Sequence, residues 1–237
     1  MPSSEQWSAA FYDRLGAEGL AARTAPSWDD RTLGRLREML TPGQRVLDAG
    51  CGYGRIAIPL GRSGYEVTGL DLSDALLRAA RERAGQQGTS VRWVRGSMCR
   101  MPLLDSSFDV VLCLWSAFHE LLEEQEQVQA ETEMRRVLRP GGWCLIEGPL
   151  YRPATAEEIA SGQRRGPEGR IAFDIVAGLP NPHYCHDPES FGRLMERARI
   201  ASFKVYEQDW AGRTRQFLWF EKRGASPNSS LQPTGLA

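Results

Sequence analysis

The feature that most restricts what this chain can become is a run of nine residues. Val46, Leu47, Asp48, Ala49, Gly50, Cys51, Gly52, Tyr53 and Gly54 read as a buried strand entering a glycine-rich turn, and the apolar residues 55–60 behind it read as a helix. Such a turn lets a ligand approach bare backbone and aims the first helical amides at it. A second apolar run then ends on Asp71, 21 residues beyond Gly50. An acid at about that separation is where a doubly wound fold grips ribose hydroxyls, accepting a hydrogen bond from each. Strand, turn, helix and acid together predict a ribose-bearing ligand at the carboxyl ends of a parallel sheet.

The rest of the chain supports that sheet. Runs at residues 45–48, 66–70, 91–95, 109–115 and 143–147 are nearly continuous in hydrophobicity, as strands buried on both faces must be. Helical stretches at 74–87 and 122–138 lie between them, the first opened by Ser73 as N-cap, the second ended by Pro140, Gly141 and Gly142. Runs at 201–207 and 215–221 form a closing antiparallel pair, which brings the expected strands to seven. The predicted class is α/β, a doubly wound, mostly parallel, Rossmann-like sheet.

Other regions elaborate it. Residues 1–40 predict a helical cap, with Trp7, Phe11, Tyr12 and Leu15 on one face of a first helix and a second helix over 28–40 capped by Ser27. The domain that carries the sheet then spans 41–223. Within it, residues 150–186 turn rich in Gly, Pro and Arg without a strong period, the mark of a lid after the fifth strand. Asp187, Pro188 and Glu189 open a helix to about Arg197. Residues 224–237 read as a disordered tail.

Charge narrows the partners. Lys plus Arg total 29 against 30 Asp plus Glu, a formal charge of -1, so bulk charge draws the chain to no polyanion. Cys51, Cys99, Cys113, Cys144 and Cys185 contain no CxxC pair and read as reduced thiols. With no export signal and no apolar run long enough for a bilayer, the expected location is cytoplasmic, without a membrane partner.

The glycines decide between ribose-bearing cofactors. A dinucleotide fingerprint needs a third glycine at position 55, where this chain has Arg55, which would crowd a pyrophosphate. The pattern from Asp48 through Gly50, Gly52 and Gly54 instead resembles motif I of the class I S-adenosylmethionine-dependent methyltransferases. Gly69, Leu70, Asp71, Leu72 and Ser73 match the ribose-acid segment, Gly96 to Met98 the segment after strand three, residues 101–111 the "LPF…FD" stretch, and Leu138 to Gly142 "LRPGG". The resemblance covers roughly residues 46–148 and is strongest to the small-molecule branch with a type 11-like domain.

That resemblance implies a cofactor, S-adenosylmethionine, and a set of residues. Asp48, Gly50, Gly52, Asp71, Leu72, Ser97, Met98 and Leu114 are the implied cofactor contacts. The family has an acid after the strand-three glycine to receive the adenine amino group, whereas this chain has Ser97. Beyond strand four, His119 is the candidate proton acceptor, the alternative being that it caps the following helix or packs against the lid, with Tyr12 and Trp115 beside the acceptor substrate. The partner expected is a small-molecule acceptor. RNA or protein methylation, or a non-catalytic cofactor-binding module, are the alternatives.

Four further patterns stand outside the expected site. Asp109 begins a strand at the edge away from the ligand, and Cys51 serves as a small apolar residue. His183, Cys185, His186 and Asp187 lie too close in sequence to converge on one ion, so no metal is expected. Asn181, Pro182, His183 and Tyr184 resemble the "NPPY" motif of adenine and glutamine methyltransferases but stand far from the end of strand four, which argues against base-flipping DNA methylation.

Overall fold

The apolar runs show no polar face because their sheet is covered on both sides. The computed structural model describes residues 3–23, 25–210 and 212–224. β1 (Arg45–Ala49), β2 (Glu66–Asp71), β3 (Arg92–Arg95), β4 (Phe108–Cys113) and β5 (Leu138–Gly148) run parallel to one another. β6 (Arg164–Arg165), β7 (Ile171–Val176) and β8 (Leu179–Tyr184) form a small antiparallel sheet, and β9 (Phe203–Trp210) and β10 (Arg213–Glu221) return to the main one. Its order is β3-β2-β1-β4-β5-β10-β9, with β10 antiparallel to both β5 and β9. This is the expected doubly wound, mostly parallel seven-stranded sheet.

Successive strand residues feed opposite cores. Leu47, Val111, Cys144 and Leu218 pack with α5 (Glu124–Val137) and α7 (Pro188–Arg197) on one face. Val46, Val110, Leu145 and Phe217 pack with α2 (Pro26–Met39) and α3 (Ala57–Arg62) on the other. β4, central in the order, is buried along its whole length. α4 (Asp74–Gln86) is capped as expected, the Ser73 hydroxyl accepting the Leu76 amide at 3.1 Å.

At the N-terminus, α1 (Ser4–Ala21) is capped by Ser3 and breaks at Gly16, where φ is 69°. α2 starts at Pro26 with Ala25 in the N-cap position, so Ser27 lies inside the first turn rather than capping it. The ring-fixed φ of proline suits the first helical position and moves the start forward.

The region after β5 is more regular than its composition implied. Beyond the short α6 (Ala156–Ala160), β7 and β8 form a hairpin whose turn residues Ala177 and Gly178 have φ of 50° and 75°, the primed geometry that matches strand twist. Pro180 and Pro182 hid β8 from a pattern reading. They are tolerated because β8 pairs only with β7 and leaves its other edge free. The expected tail falls at 225–237, outside the described residues. Among the described residues no helix is long and apolar enough to cross a membrane.

Candidate active site

The first wall of the site is backbone. Gly50, Gly52 and Gly54 have φ of 79°, 53° and 82°, a left-handed path that side chains rarely tolerate. A Cβ on Gly50 would stand 2.5 Å from the Cβ of Ala117, so the turn and the exit of β4 touch only because the glycine is bare. The amides of Gly50 and Cys51 donate to the Leu70 carbonyl at 2.8 and 3.1 Å, tying the turn to the end of β2. There Asp71 accepts the Gly52 amide at 2.7 Å on one oxygen and the Ser73 amide at 2.9 Å on the other. The Leu72 amide also bonds this carboxylate, whose two oxygens offer about four acceptor positions in all, so acceptor capacity remains for a further donor. Burial pushes the Asp71 carboxyl up while these amides pull it down.

Asp48 stands behind the turn, 4% exposed, with Oδ2 buried and unpartnered. Burial first, then the charge of Asp71, pushes its carboxyl up to about 7. A buried carboxylate without a cation is costly and invites one.

The second wall begins where β4 ends, two residues earlier than the apolar run. Trp115 and Ser116 follow with φ of 59° and 68°, strained for residues with side chains. A buried ion pair braces them. Glu147 accepts the Trp115 amide and pairs with Arg215, whose other nitrogen donates to the Ser116 hydroxyl at 2.8 Å. The Trp115 ring is stacked 6.1 Å from Trp28 on one side and lies 3.9 Å from the Arg55 guanidinium on the other. Arg55 in turn is held by Asp29 at 2.8 Å, so the residue that replaces a dinucleotide glycine is part of the cleft wall.

His119 is not where the sequence reading expected it. The 3-10 turn over Ala117–Glu120 sends it away from the cleft, 1% exposed, into a cluster with Phe118, His186 and Phe191. Neither ring nitrogen has a hydrogen-bond partner, and burial holds the imidazole well below its ordinary pKa. The next residue faces the cleft instead. Glu120 accepts hydrogen bonds from the Ser8 and Tyr12 hydroxyls, and burial, opposed by those bonds, pushes its carboxyl up to about 7.

α1 closes the third side. Besides Ser8 and Tyr12, it presents Asp13, which accepts from the Ser73 hydroxyl at 2.6 Å, and Ser4, which accepts the Leu122 amide at 2.9 Å. At its start Glu5 accepts from the Ser97 hydroxyl. Glu5, Ser8 and Glu120 were absent from the sequence reading. An acid one residue after the expected histidine was the one local signal for Glu120, while the α1 contacts had none.

These walls bound a cleft with about 970 Å³ of empty space, open solvent at its mouth included. Asp48, Gly50, Gly52, Asp71, Leu72, Met98, Leu114, Tyr12 and Trp115 all line it; Ser97 and His119 do not. Glu5, Asp48, Asp71 and Glu120 give it four carboxyls, and its one arginine, Arg55, is already paired. The donor set fits S-adenosylmethionine. A bare glycine cradle, a strand-end acid with free lone pairs and a buried unpartnered carboxyl suit a ribose joined to a cationic amino-acid chain. Among the described residues no group of three or more His, Cys, Asp or Glu is arranged to hold a metal.

Comparison with known proteins agrees with this geometry. Residues 46–142 match the family model described as "Methyltransferase domain". The chain is 34% identical over 142 residues to the Methyltransferase GfsG of Streptomyces halstedii, a match covering 58% of this chain and 49% of that one. It spans about half the length of the curated relatives it matches. In fold it is similar to a SAM-dependent methyltransferase from Methanosarcina mazei, with a TM-score of 0.64 and 21% identity over 80% of this chain and 97% of the other. It is also similar to phosphoethanolamine N-methyltransferase 2 of Haemonchus contortus in complex with phosphomonomethylethanolamine and S-adenosylhomocysteine, with a TM-score of 0.64 and 17% identity over 82% and 53%. Motif order, strand order and family match converge: residues 46–142 match a methyltransferase domain, set in the fold of the S-adenosylmethionine-dependent methyltransferases.

Proposed function

We propose that the protein transfers the methyl group of S-adenosylmethionine to a nucleophilic O, N, S or C atom of a small molecule. One observation carries this reading: the cofactor wall, with Asp48, Gly50 and Asp71, and the wall at the β4 exit, with Trp115 and Glu120, face the same enclosed space. A module that only bound cofactor would need no second wall. When bound, S-adenosylmethionine supplies a methyl on a sulfonium, with a neutral thioether as leaving group. The protein's work is then chiefly to hold the acceptor in line.

Asp71 and the glycine turn hold the ribose and the adjoining chain, and Asp48 stabilises positive charge beside them. Trp115, fixed by Trp28, Arg55 and the Glu147–Arg215 brace, forms a rigid aromatic side for the acceptor. Glu120 takes the role first assigned to His119. A carboxyl raised to about 7 accepts a proton near neutral pH, and Tyr12 and Ser8 orient it.

A small acceptor also agrees with the fate of the lid arginines. Arg164 donates to the Arg152 carbonyl at 2.9 Å and to the Cys185 sulfur, and Arg170 pairs with Glu168 and Asp187. Both are committed inside the lid, which leaves Arg152 and Arg165 as its exposed arginines, too few for a basic stripe suited to RNA. Incubation with isotopically labelled S-adenosylmethionine and a metabolite extract, read by mass spectrometry, tests the reading. It predicts a labelled small-molecule product; label recovered only in RNA or protein would contradict it.

A further inference from the structure

At the end of β3 the chain departs from the pattern it resembles. The residue after Gly96 is Ser97, without a carboxylate, and its side chain does not line the cleft. Its hydroxyl is already engaged, accepting the Cys99 amide at 2.9 Å and donating its hydrogen to Oε1 of Glu5. Glu5 itself does line the cleft, next to Gly96, Met98 and Leu72.

The sheet order says what part of the ligand arrives there. With the ribose on Asp71 at the end of β2 and the amino-acid chain running over the glycine turn toward β4, the order β3-β2-β1-β4 leaves the base only one direction, toward β3. Met98 and Leu72 offer apolar flanks for a planar ring. The Cys99 thiol also hydrogen-bonds Glu5, so it is not a loose side chain, and a carboxylate with about four acceptor positions still has room for a further donor. Ser97 holds one oxygen, and α1 is fastened on both sides of it by the Ser4–Leu122 and Ser8–Glu120 bonds.

We propose that Glu5, carried on the cap helix and positioned by Ser97, accepts the hydrogen bond from the adenine amino group. The recognition acid is thereby moved from the strand edge to α1, so adenine binding and closure of the cap become one event. The proposal rests on the reading that this cleft binds S-adenosylmethionine.

Isothermal titration of the full chain with S-adenosylhomocysteine, and with its purine analogue in which the amino group is replaced by hydrogen, tests it. Wild type, Glu5→Ala and Glu5→Gln are compared, with circular dichroism confirming that each variant keeps its helices. A hydrogen bond to a charged acceptor predicts that wild type loses about 10- to 100-fold in affinity on going to the purine analogue. Glu5→Ala should weaken S-adenosylhomocysteine by a similar factor yet bind the two ligands alike, and Glu5→Gln, which keeps a neutral acceptor, should fall between. Equal affinity of wild type for the two ligands overturns the proposal and leaves the functional reading standing, as does a Glu5→Ala variant that still discriminates fully. A wild type that binds neither overturns the functional reading and this proposal with it.

Discussion

Two walls of one cleft are built in opposite ways. The wall at the ends of β1 and β2 is local: Gly50, Gly52 and Asp71 sit within one strand-turn-helix-strand unit and act largely through backbone geometry. The wall supplied by α1 and the β4 exit is assembled at a distance. Tyr12 reaches Glu120 across 108 positions of sequence, Ser8 reaches it across 112, and Glu5 reaches Ser97 across 92. The first wall is fixed by what the chain is locally, whereas the second exists only once the whole molecule has folded. In the proposed function, cofactor class follows from the first wall, and proton transfer and acceptor choice depend on the second.

The sharpest break in that comparison comes from two adjacent residues of the assembled wall. Glu120→Gln should lower turnover by about 10²- to 10⁴-fold, the usual worth of a general base, while S-adenosylhomocysteine affinity stays within a few-fold. His119→Leu should leave turnover near wild type. Because neither ring nitrogen is bonded, an apolar side chain of similar size costs at most about 1 kcal/mol in stability. Steady-state kinetics and thermal melts of both variants decide it, and the reverse pattern would restore the histidine as proton acceptor.

On the local wall, Asp71→Ala should cost roughly 1.5–3 kcal/mol of cofactor affinity, about 10- to 150-fold by calorimetry. The fold should survive, at a cost of about 1–3 kcal/mol in stability for each of the buried Gly52 and Ser73 amides left unpaired. Unchanged affinity in a folded variant would remove Asp71 from the ribose site.

A smaller effect separates the two walls by pH. The Asp48 carboxyl rises from an ordinary 3.8 to about 7 and that of Glu120 from 4.5 to about 7, so the folded, empty protein holds extra protons between those limits. The stabilisation this brings is full below about pH 4 and is lost as pH rises through 7. A cationic ligand prefers the ionised forms, so S-adenosylmethionine affinity should rise between pH 5 and 8, by up to about tenfold per unit for each coupled group. S-adenosylhomocysteine, without the sulfonium charge, should respond less. Titrations at pH 5, 6, 7 and 8 read the slope, and a flat or falling affinity would mean that neither carboxyl meets the cation.

The difference between the walls also explains what could be read from the chain. The glycine turn, the acid at the end of β2 and the seven-stranded sheet were legible because each leaves a local mark: a spacing, an apolar run, a cap. His119 was misplaced because a 3-10 turn rotates about a third of a circle per residue, and β4 ends at Cys113 rather than Trp115. That small shift exchanged a histidine for the neighbouring glutamate. The hairpin of β7 and β8 was hidden by Pro180 and Pro182, which look like breakers and are harmless on an edge strand. Tyr12 was found through its aromatic stripe, while Glu5 and Ser8 looked like any acid and serine in a first helix.

The central claim is that this cleft takes S-adenosylmethionine through the glycine turn and Asp71. Calorimetric titration of the wild-type chain with S-adenosylmethionine, S-adenosylhomocysteine and NAD tests it most directly. Saturable one-to-one binding of the first two and none of NAD is the predicted result; binding of NAD without either methyl-cycle ligand would contradict it.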